Sequence, residues 1–247
     1  VTVYERKPFI GGMMYPGSRP KFKEDVALAL DWFKYELDAN NVKLELNTNV
    51  TPEFVEKISP DVLVIAVGAN PIMPDVPGID MKHVDSAVNI LNDISRYKGE
   101  RAVVIGGGDV GCETACFLAD NGFKVTIVEM LPKILEENEI TEVKLRLLNL
   151  IKERNIEIIT ESHLNAVYEG GVELMVPYDT QMGIKDGGRE MGIDADLVAI
   201  AINAKPDDEF ISALSMKAEE FYIIGDCSQP GRIREAVEAG ENAARVI

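Results

Sequence analysis

The chain is short of cysteine and histidine, and it has no long apolar run. Cys112, Cys116 and Cys227 are too few for a disulfide framework, which favours a reducing compartment and predicts a cytoplasmic protein. His83 and His163 are isolated from each other, so no cluster has the spacing of metal ligands and no metal site is predicted. No segment approaches the roughly 20 apolar residues of a membrane-spanning helix.

Positive charge is also scarce. Lysine and arginine total 25 against 42 aspartates and glutamates, which gives a net charge of −17. Nucleic acids and anionic membranes are bound through basic patches, so neither is an expected partner. With 247 residues, the chain is long enough for one large or two small domains.

An internal repeat is the most informative feature that the chain does contain. Three segments recur in the same order: residues 1–8 resemble 125–132, residues 41–46 resemble 155–160, and residues 61–71 resemble 196–206. Together they argue for two copies of one nucleotide-binding unit. In the second copy, the 24 residues 101–124 come before the first match. We therefore expect an intact protein to carry about 24 residues ahead of Val1, with a first strand and a first glycine loop.

Periodicity predicts strands that alternate with helices. Strands are expected at residues 1–5, 43–46, 62–66, 102–105, 124–129, 156–160, 172–176, 197–201 and 221–224. Helices are expected at residues 23–39, 86–95, 109–121, 139–154 and 231–247. A β-meander is expected over 164–194, with turns at Gly170-Gly171 and Gly187-Gly188. This alternation predicts an α/β fold with parallel sheets and right-handed crossovers.

A glycine loop joins one predicted strand to the next helix. Residues 105–111 read IGGGDVG, with G-x-G-x-x-G at Gly106, Gly108 and Gly111. The first glycine permits the tight turn, the second lets backbone N–H groups approach a pyrophosphate, and the third lets helix and strand pack closely. The predicted dinucleotide contacts are Gly106, Gly107, Gly108, Asp109, Val110 and Gly111, at the positive end of the helix dipole. The alternative is a tight turn that binds nothing.

Glu129 lies 18 residues beyond the last glycine, at the end of the next predicted strand. A carboxylate near this spacing is placed to accept hydrogen bonds from an adenosine ribose. Beside the 2′-phosphate of NADPH it would cost up to about 4 kcal/mol per charge pair. Met130 follows rather than an arginine, so we expect NADH to be preferred. The alternative is a solvated charge at a strand end.

The first copy of the repeat offers a second set of candidates. Glu5 stands at the strand end that matches Glu129, so it is expected to bind the ribose of a second nucleotide. Gly11 and Gly12 would let backbone lie against that ligand, or they form only a turn. Asp226 follows the strand at 221–224, at the sheet edge where ligands bind, or it is a capping or turn aspartate.

These features resemble the two-dinucleotide-domain flavoproteins of the pyridine nucleotide-disulfide oxidoreductase superfamily. The resemblance rests on the paired units and on residues 5–12, 66–68 and 224–226. Within the superfamily, residues 10–14, 23–25, 47–48 and 60–61 most resemble the C-terminal reductase portion of the 2,4-dienoyl-CoA reductase, 2-enoate reductase and trimethylamine dehydrogenase group. Members of that group join this portion to an old-yellow-enzyme barrel that carries FMN and an iron–sulfur cluster.

The resemblance implies two Rossmann-like three-layer domains, the second inserted in the first, with the first truncated at its N-terminus. The implied domains are an FAD-binding domain over 1–97 and 213–247, and an NAD(P)H-binding domain over 98–212. The implied FAD contacts are Glu5, Arg6, Gly11, Gly12, Met13, Ala66, Val67, Gly68, Asp226 and Ile233. On the NAD side the resemblance adds Met130 and Asn203. Asn203 stands where the family usually has glycine, and asparagine tolerates a positive φ.

The implied reaction is hydride transfer from NADH to FAD, for which the nucleotides supply the chemistry, so no catalytic side chain is expected. Electrons would then pass to an FMN and iron–sulfur barrel outside this chain, which reduces an activated C=C bond. Cys112 and Cys116 are expected to pack in the core, so no dithiol relay is predicted. Two alternatives remain: a stand-alone NADH oxidase or ferredoxin-reductase-like enzyme, and a redox-inactive nucleotide sensor. The final electron acceptor and a homo-oligomeric state stay open.

Overall fold

Strands and helices alternate along the computed structural model, which describes residues 1–136, 141–177 and 188–247. The strands are β1 Thr2–Tyr4, β2 Lys43–Glu45, β3 Leu63–Ile65, β4 Asn70–Pro71, β5 Val84–Ser86, β6 Arg101–Ile105, β7 Lys124–Val128, β8 Glu157–Ile159, β9 His163–Tyr168, β10 Gly171–Pro177, β11 Gly188–Asp194, β12 Leu197–Ile200, β13 Ala204–Lys205 and β14 Phe221–Ile223. The helices are α1 Met14–Gly17, α2 Glu24–Ala39, α3 Pro52–Ile58, α4 Ala87–Asn92, α5 Asp109–Asp120, α6 Glu142–Glu153, α7 Asp208–Ser215 and α8 Ile233–Ala244.

One compact unit, residues 19–22 and 71–203, is built on a five-stranded sheet. Its strand order is β5-β12-β6-β7-β8, and every neighbouring pair is parallel. The central strands β6, β7 and β12 are buried on both faces, except for the first residues of β6 and β7, because apart from Thr126 they consist there of alanine, valine, isoleucine and leucine. Helices α4, α5 and α6 contribute to the core on one face, where Ile90, Leu118 and Ile127 are fully buried. The predicted α/β fold with a parallel sheet is confirmed here.

The antiparallel sheet β9-β10-β11 contributes the core on the other face. Val172 and Leu174 of β10 pack there with Val103 and Val198 of the parallel sheet. The predicted meander is confirmed for β9, β10 and β11, and its first turn has Gly170 in the left-handed region at φ 81°. The second predicted turn, at Gly187-Gly188, falls partly outside the described residues, as do the first two residues of the helix predicted at 139–154.

The other compact unit, residues 1–18, 23–70 and 204–247, has no single sheet. It holds two separate parallel pairs, β1 with β2 and β14 with β3. Its buried core is small and consists of Val55, Ile65, Ile211, Leu214 and Cys227. Helices α3 and α7, which supply three of these residues, were not predicted, because seven or eight residues are too short for a periodic pattern to stand out.

The extents of the two units differ from those of the predicted domains. The chain changes unit between residues 70 and 71 and between 203 and 204, whereas the predicted boundaries follow residues 97 and 212. Segment 71–97 belongs with the five-stranded sheet because β5 pairs with β12 and because α4 buries Ala87, Ile90 and Leu91. In the described part of the chain, no helix is long and apolar enough to cross a membrane.

The repeated segments fold in the same register. Thr2 pairs with Lys43 in the first unit, and Thr126 pairs with Glu157, their counterparts, in the second. Left-handed backbone recurs at matching positions: Asn41 and Asn155 have φ of 54° and 52°, and Asn47 and Glu161 have φ of 54° and 52°. The third match also pairs through equivalent residues. Residues 63–65 of β3 pair with β14, and their counterparts 198–200 of β12 pair with β5, in both cases in parallel. The internal repeat is therefore structural as well as sequential.

Candidate functional site

Three candidate segments meet at one edge of the five-stranded sheet. The glycine loop follows β6, Glu129 follows β7, and residues 201–203 follow β12, and these three parallel strands are neighbours. The loop and the strand ends are hydrogen bonded, since Gly106 N donates to Val128 O at 2.8 Å and Ala201 N donates to Ile105 O at 2.8 Å. Ligands of open α/β sheets bind at this carboxyl edge.

Three of the four loop glycines are needed for close packing. A Cβ on Gly106, whose φ is 109°, would lie 2.4 Å from Ala201 O. A Cβ on Gly111 would lie 1.9 Å from Gly106 O, and a Cβ on Gly107 would lie 2.6 Å from the Cγ2 atom of Ile134. No side chain fits at these positions without displacing backbone or core atoms.

Gly108 differs from the other loop glycines. A Cβ on it would have no atom within 4 Å, and its φ of −74° is accessible to any residue. It is also the N-cap residue of α5, and no side chain caps that helix start. An open position at an uncapped helix N-terminus fits the pyrophosphate of a dinucleotide, because the helix dipole and the backbone N–H groups both favour an anion there.

Glu129 is buried, with 8% of its surface exposed, so its alternative interpretation as a solvated charge is wrong. One carboxylate oxygen accepts a hydrogen bond from Gly107 N at 2.6 Å, and the other accepts one from Leu131 N at 2.8 Å. The side chain thus ties the end of β7 to the glycine loop, which the sequence did not predict. Each oxygen keeps further acceptor capacity, so the expected ribose contact remains chemically available.

The segment after Glu129 is hydrogen bonded to the glycine loop and supports it. Leu135, which is buried and has a φ of 55°, donates from its backbone N to Gly107 O at 2.8 Å. The Nζ atom of Lys144 donates to Leu135 O at 2.6 Å. Sequence reasoning did not predict this contact, because no motif marks it. It depends on the burial of Ile134 and Leu135, which returns the chain to the glycine loop. Met130 points outward, with 71% of its surface exposed.

Asn203 does not have the backbone that was expected of it. It is absent from the left-handed region, whereas Gly68, its counterpart in the repeat, has a φ of 75°. The backbone O of Asn203 accepts a hydrogen bond from Ile72 N at 2.9 Å, and Asn203 is exposed. The expected positive φ is therefore wrong, since the strand end here continues without a left-handed turn.

All three cysteines are free and buried. Burial raises the pKa of the Cys112 thiol far above its usual range, and it raises the pKa of Cys116 to about 12. Cys227 donates from its Sγ atom to Ile65 O and Ile224 O at 3.1 and 3.0 Å. Burial of all three side chains confirms the predicted packing role, and the raised pKa values of Cys112 and Cys116 disfavour the thiolate form that a nucleophile needs.

In the other unit, Glu5 repeats part of the Glu129 arrangement. One oxygen of Glu5 accepts from Lys7 N at 2.7 Å, as one oxygen of Glu129 accepts from Leu131 N. Arg6 is exposed beside Glu5.

The next candidates form an exposed turn. Met14 N donates to Gly11 O at 2.8 Å, and Gly11 and Gly12 have φ of 118° and 49°. A Cβ on Gly11 would lie 2.6 Å from the Cδ2 atom of Leu30, whereas a Cβ on Gly12 would meet nothing within 4 Å. Both expected roles, a turn and an open backbone surface, are compatible with this geometry, and Met13 is exposed beside it.

The remaining candidates lie at the ends of β3 and β14. Ala66 and Val67 are exposed after β3, ahead of the left-handed Gly68. Asp226 follows β14 and accepts from Gly231 N at 3.1 Å, so it holds the turn that leads into α8, which begins at Ile233. Within residues 1–136, 141–177 and 188–247, no group of three or more histidine, cysteine, aspartate or glutamate side chains could hold a metal ion.

Residues 6–243 match the pyridine nucleotide-disulphide oxidoreductase family, and the chain belongs to that family, which binds FAD and NAD(P)H. It is 30% identical to bilirubin reductase of Mediterraneibacter gnavus over 248 residues, 32% identical to NADH oxidase of Thermoanaerobacter brockii over 252, and 29% identical to cinnamate reductase of Clostridium sporogenes over 255. These matches cover 99% to 100% of the chain but only 36% to 37% of each relative.

A solved structure gives the same result. The chain is similar to a 2-naphthoyl-CoA reductase in complex with 2-naphthoyl-CoA, with a TM-score of 0.87 and 32% identity over 97% of the chain and 35% of that protein. The chain therefore spans a little over a third of the proteins that it matches. The resemblance derived from its motifs, to the reductase portion of enoate-type reductases, is confirmed.

Proposed function

We propose that this chain is the NADH- and FAD-binding portion of a flavin-dependent reductase that acts on an activated C=C bond. The observation that carries the proposal is the sheet edge at which an open Gly108, an uncapped α5 and the loop-bound Glu129 come together. When bound, the two nucleotides supply hydride transfer from nicotinamide C4 to flavin N5. The chain's own residues bind and orient them.

On the NADH side, the proposed ligand residues are the glycine loop with Asp109 and Val110, together with Glu129, Met130 and Asn203. On the FAD side, they are Glu5, Arg6, Gly11, Gly12, Met13, residues 66–68, Asp226 and Ile233. In the intact protein, we propose that a barrel with FMN and an iron–sulfur cluster receives the electrons, since relatives almost three times as long include a cinnamate reductase. Three free, buried cysteines support a reducing, cytoplasmic setting.

We expect NADH to be preferred over NADPH because a carboxylate beside the proposed ribose position would repel a 2′-phosphate. Isothermal titration calorimetry of the protein of residues 1–247 should give a Kd for NADPH at least about tenfold above the Kd for NADH. Glu129→Gln should weaken NADH binding and narrow the difference between the two nucleotides, whereas Glu153→Gln, on the exposed surface of α6, should change neither. A Kd for NADPH equal to or below that for NADH would refute the preference.

The redox-inactive sensor is separated from the enzyme by a second measurement. Under anaerobic conditions, NADH and saturating FAD are mixed with the protein, and flavin reduction is followed at the flavin absorption band. The enzyme proposal predicts reduction in proportion to protein concentration, whereas a sensor binds NADH without this rate. If the wild-type protein neither binds NADH nor accelerates flavin reduction, the proposed function is wrong.

A further inference from the structure

Two residues that follow Glu129 depart from local preference. Leu135 has a left-handed backbone, with a φ of 55°, which strains a residue that carries a Cβ. Lys144 is the third residue of α6, where the helix dipole disfavours a cation and where the capping motif that Thr141 begins usually has glutamate or glutamine. Departures of this kind are expected at positions that serve a function, where another contact offsets them.

A pair of hydrogen bonds joins these two residues to the glycine loop. The Nζ atom of Lys144 donates to Leu135 O at 2.6 Å, and Leu135 N donates to Gly107 O at 2.8 Å. The two bonds hold the peptide groups on both sides of the Leu135 α-carbon, so together they hold its left-handed conformation. Leu135 is buried, so water has little access to the bond that its N–H makes.

The orientation of Gly107 O determines where the next backbone N–H group points. Besides Leu135 N, Gly107 O accepts from the Sγ atom of the buried Cys112 at 3.3 Å. The C=O of Gly107 and the N–H of Gly108 belong to one trans peptide group, in which the two point in opposite directions. Gly108 N–H therefore points away from both buried donors.

The N–H of Gly108 is also the one that remains for a ligand. The N–H of Gly107 is engaged by Glu129, at 2.6 Å, whereas no residue in the described part of the chain accepts a hydrogen bond from Gly108 N. A Cβ on Gly108 would meet no atom within 4 Å, so the residue is accessible. Its position ahead of α5 favours an anionic acceptor.

We propose that Lys144 is a positioning residue of the nucleotide site. Through Leu135, its ammonium group holds the Gly107–Gly108 peptide group in the orientation that directs Gly108 N–H at the pyrophosphate of the bound dinucleotide. Without this support the peptide group is less ordered, and the ligand must order it on binding, which lowers affinity. Only the identity of the ligand as a dinucleotide rests on the proposed function.

The first measurement needs no nucleotide. Lys144→Met keeps an apolar stem and removes the donor, and the matched control Lys152→Met removes the same charge from the exposed last turn of α6. Amide hydrogen exchange at Leu135 should be at least about tenfold faster in Lys144→Met than in wild type, and unchanged in Lys152→Met. Lys144→Arg should restore slow exchange, because a guanidinium can also donate to Leu135 O.

The second measurement compares ligands with and without a pyrophosphate. Equilibrium titrations give the Kd of NADH, of ADP-ribose, which has the pyrophosphate, and of adenosine, which lacks it. Lys144→Met should raise the Kd of NADH and ADP-ribose by the same factor, about fivefold or more, and leave that of adenosine unchanged. The factor should persist at about 0.5 M salt, where direct attraction between the Lys144 charge and the ligand is screened. Lys144→Arg should bind as wild type does, and so should Lys152→Met.

Several results would overturn the role of Lys144. They are unchanged exchange at Leu135 in folded Lys144→Met, faster exchange with an unchanged Kd for NADH, and a loss of affinity that disappears in salt or that extends to adenosine. If Lys144→Met does not fold, Lys144→Gln is measured in its place. A wild-type protein that binds neither NADH nor ADP-ribose would overturn the proposed function as well, whereas equal binding of both ligands by wild type and Lys144→Met would overturn only the role of Lys144.

Discussion

The glycines of the loop differ in what surrounds their α-carbons. Gly106, Gly107 and Gly111 are each pressed against backbone or core atoms, and only Gly108 faces open space. The loop motif thus meets two requirements: close packing of the loop against the sheet and helix, and open space in which a ligand can approach the backbone. Substitution at the two kinds of position should therefore have separable effects on stability and on binding.

We expect Gly108→Ala to fold with a loss of at most about 1 kcal/mol, because its backbone suits any residue and the only cost is that of a poorer N-cap. NADH binding should nevertheless weaken at least about tenfold, because the methyl group enters the space proposed for the pyrophosphate. Chemical denaturation and titration calorimetry measure the two effects.

Gly111→Ala provides the contrast. Its Cβ would lie 1.9 Å from Gly106 O, so we expect unfolding free energy to fall by about 3 kcal/mol or more. Equal stability of the two variants would contradict the distinction between glycines needed for packing and the glycine that leaves space for a ligand. Unchanged NADH binding by Gly108→Ala would contradict it as well.

At the scale of the element, Asp196 fixes the start of β6 at the opposite edge of the sheet from the candidate site. Its carboxylate accepts two backbone N–H groups of residues 100 and 101, and the Arg101 guanidinium lies 3.7 Å away. These backbone hydrogen bonds, aided by Arg101, lower the pKa of Asp196 below its ordinary value. A lowered pKa in the folded state means that ionised Asp196 stabilises the fold.

We expect Asp196→Ala to cost about 1 to 3 kcal/mol of unfolding free energy without changing NADH affinity, because two exposed backbone N–H groups lose their charged acceptor far from the site. The contribution of the charge is present above the ordinary aspartate pKa of 3.8 and is lost as pH falls through the lowered folded value. Asp196→Asn should therefore differ from wild type near neutral pH and converge with it in acid. Urea denaturation over a pH series measures this.

Asp194→Ala is the control, since Asp194 pairs with Arg101 at an exposed position and such pairs contribute about 0 to 1 kcal/mol. A constant difference between wild type and Asp196→Asn at all pH values would show that the charge has no role in the stability of β6.

At the scale of the whole molecule, the two compact units have unequal cores. One has a continuous five-stranded sheet with large buried clusters on both faces, and the other has two separate parallel strand pairs with a cluster of five buried core residues. The unit of residues 1–18, 23–70 and 204–247 buries much less apolar surface, so it has less to offset its conformational entropy.

We therefore expect two thermal transitions, with the unit of residues 1–18, 23–70 and 204–247 melting first. NADH at 100 times its Kd should stabilise the later transition by about 2.7 kcal/mol and leave the earlier one unchanged. Differential scanning calorimetry with and without NADH measures both, and intrinsic fluorescence of Trp32, in the first unit, assigns the earlier transition. One cooperative transition that NADH shifts as a whole would contradict this expectation.

Sequence reasoning succeeded where the signal was local. Strand β6, the glycine loop, α5 and β7 follow directly from apolar runs and glycine spacing, and the internal repeat was visible in the sequence before the structure showed its shared registers. It failed where distant packing decides. Three features depend on which surfaces are buried together: the short helices α3 and α7, the assignment of residues 71–97 to the unit with the five-stranded sheet, and the hydrogen bond from Leu135 to the glycine loop.

The sequence by itself determined that residues 101–129 form a strand–glycine loop–helix–strand and that residues 1–71 repeat segments of residues 125–206, because periodicity and glycine positions are properties of the chain. Only the tertiary structure decided that Glu129 holds Gly107, that Asn203 is not left-handed, and that residues 71–97 belong with the five-stranded sheet. Those facts depend on hydrogen bonds and packing between residues far apart in sequence, such as Gly107 with Glu129 and β5 with β12, and no local pattern in the chain reports them.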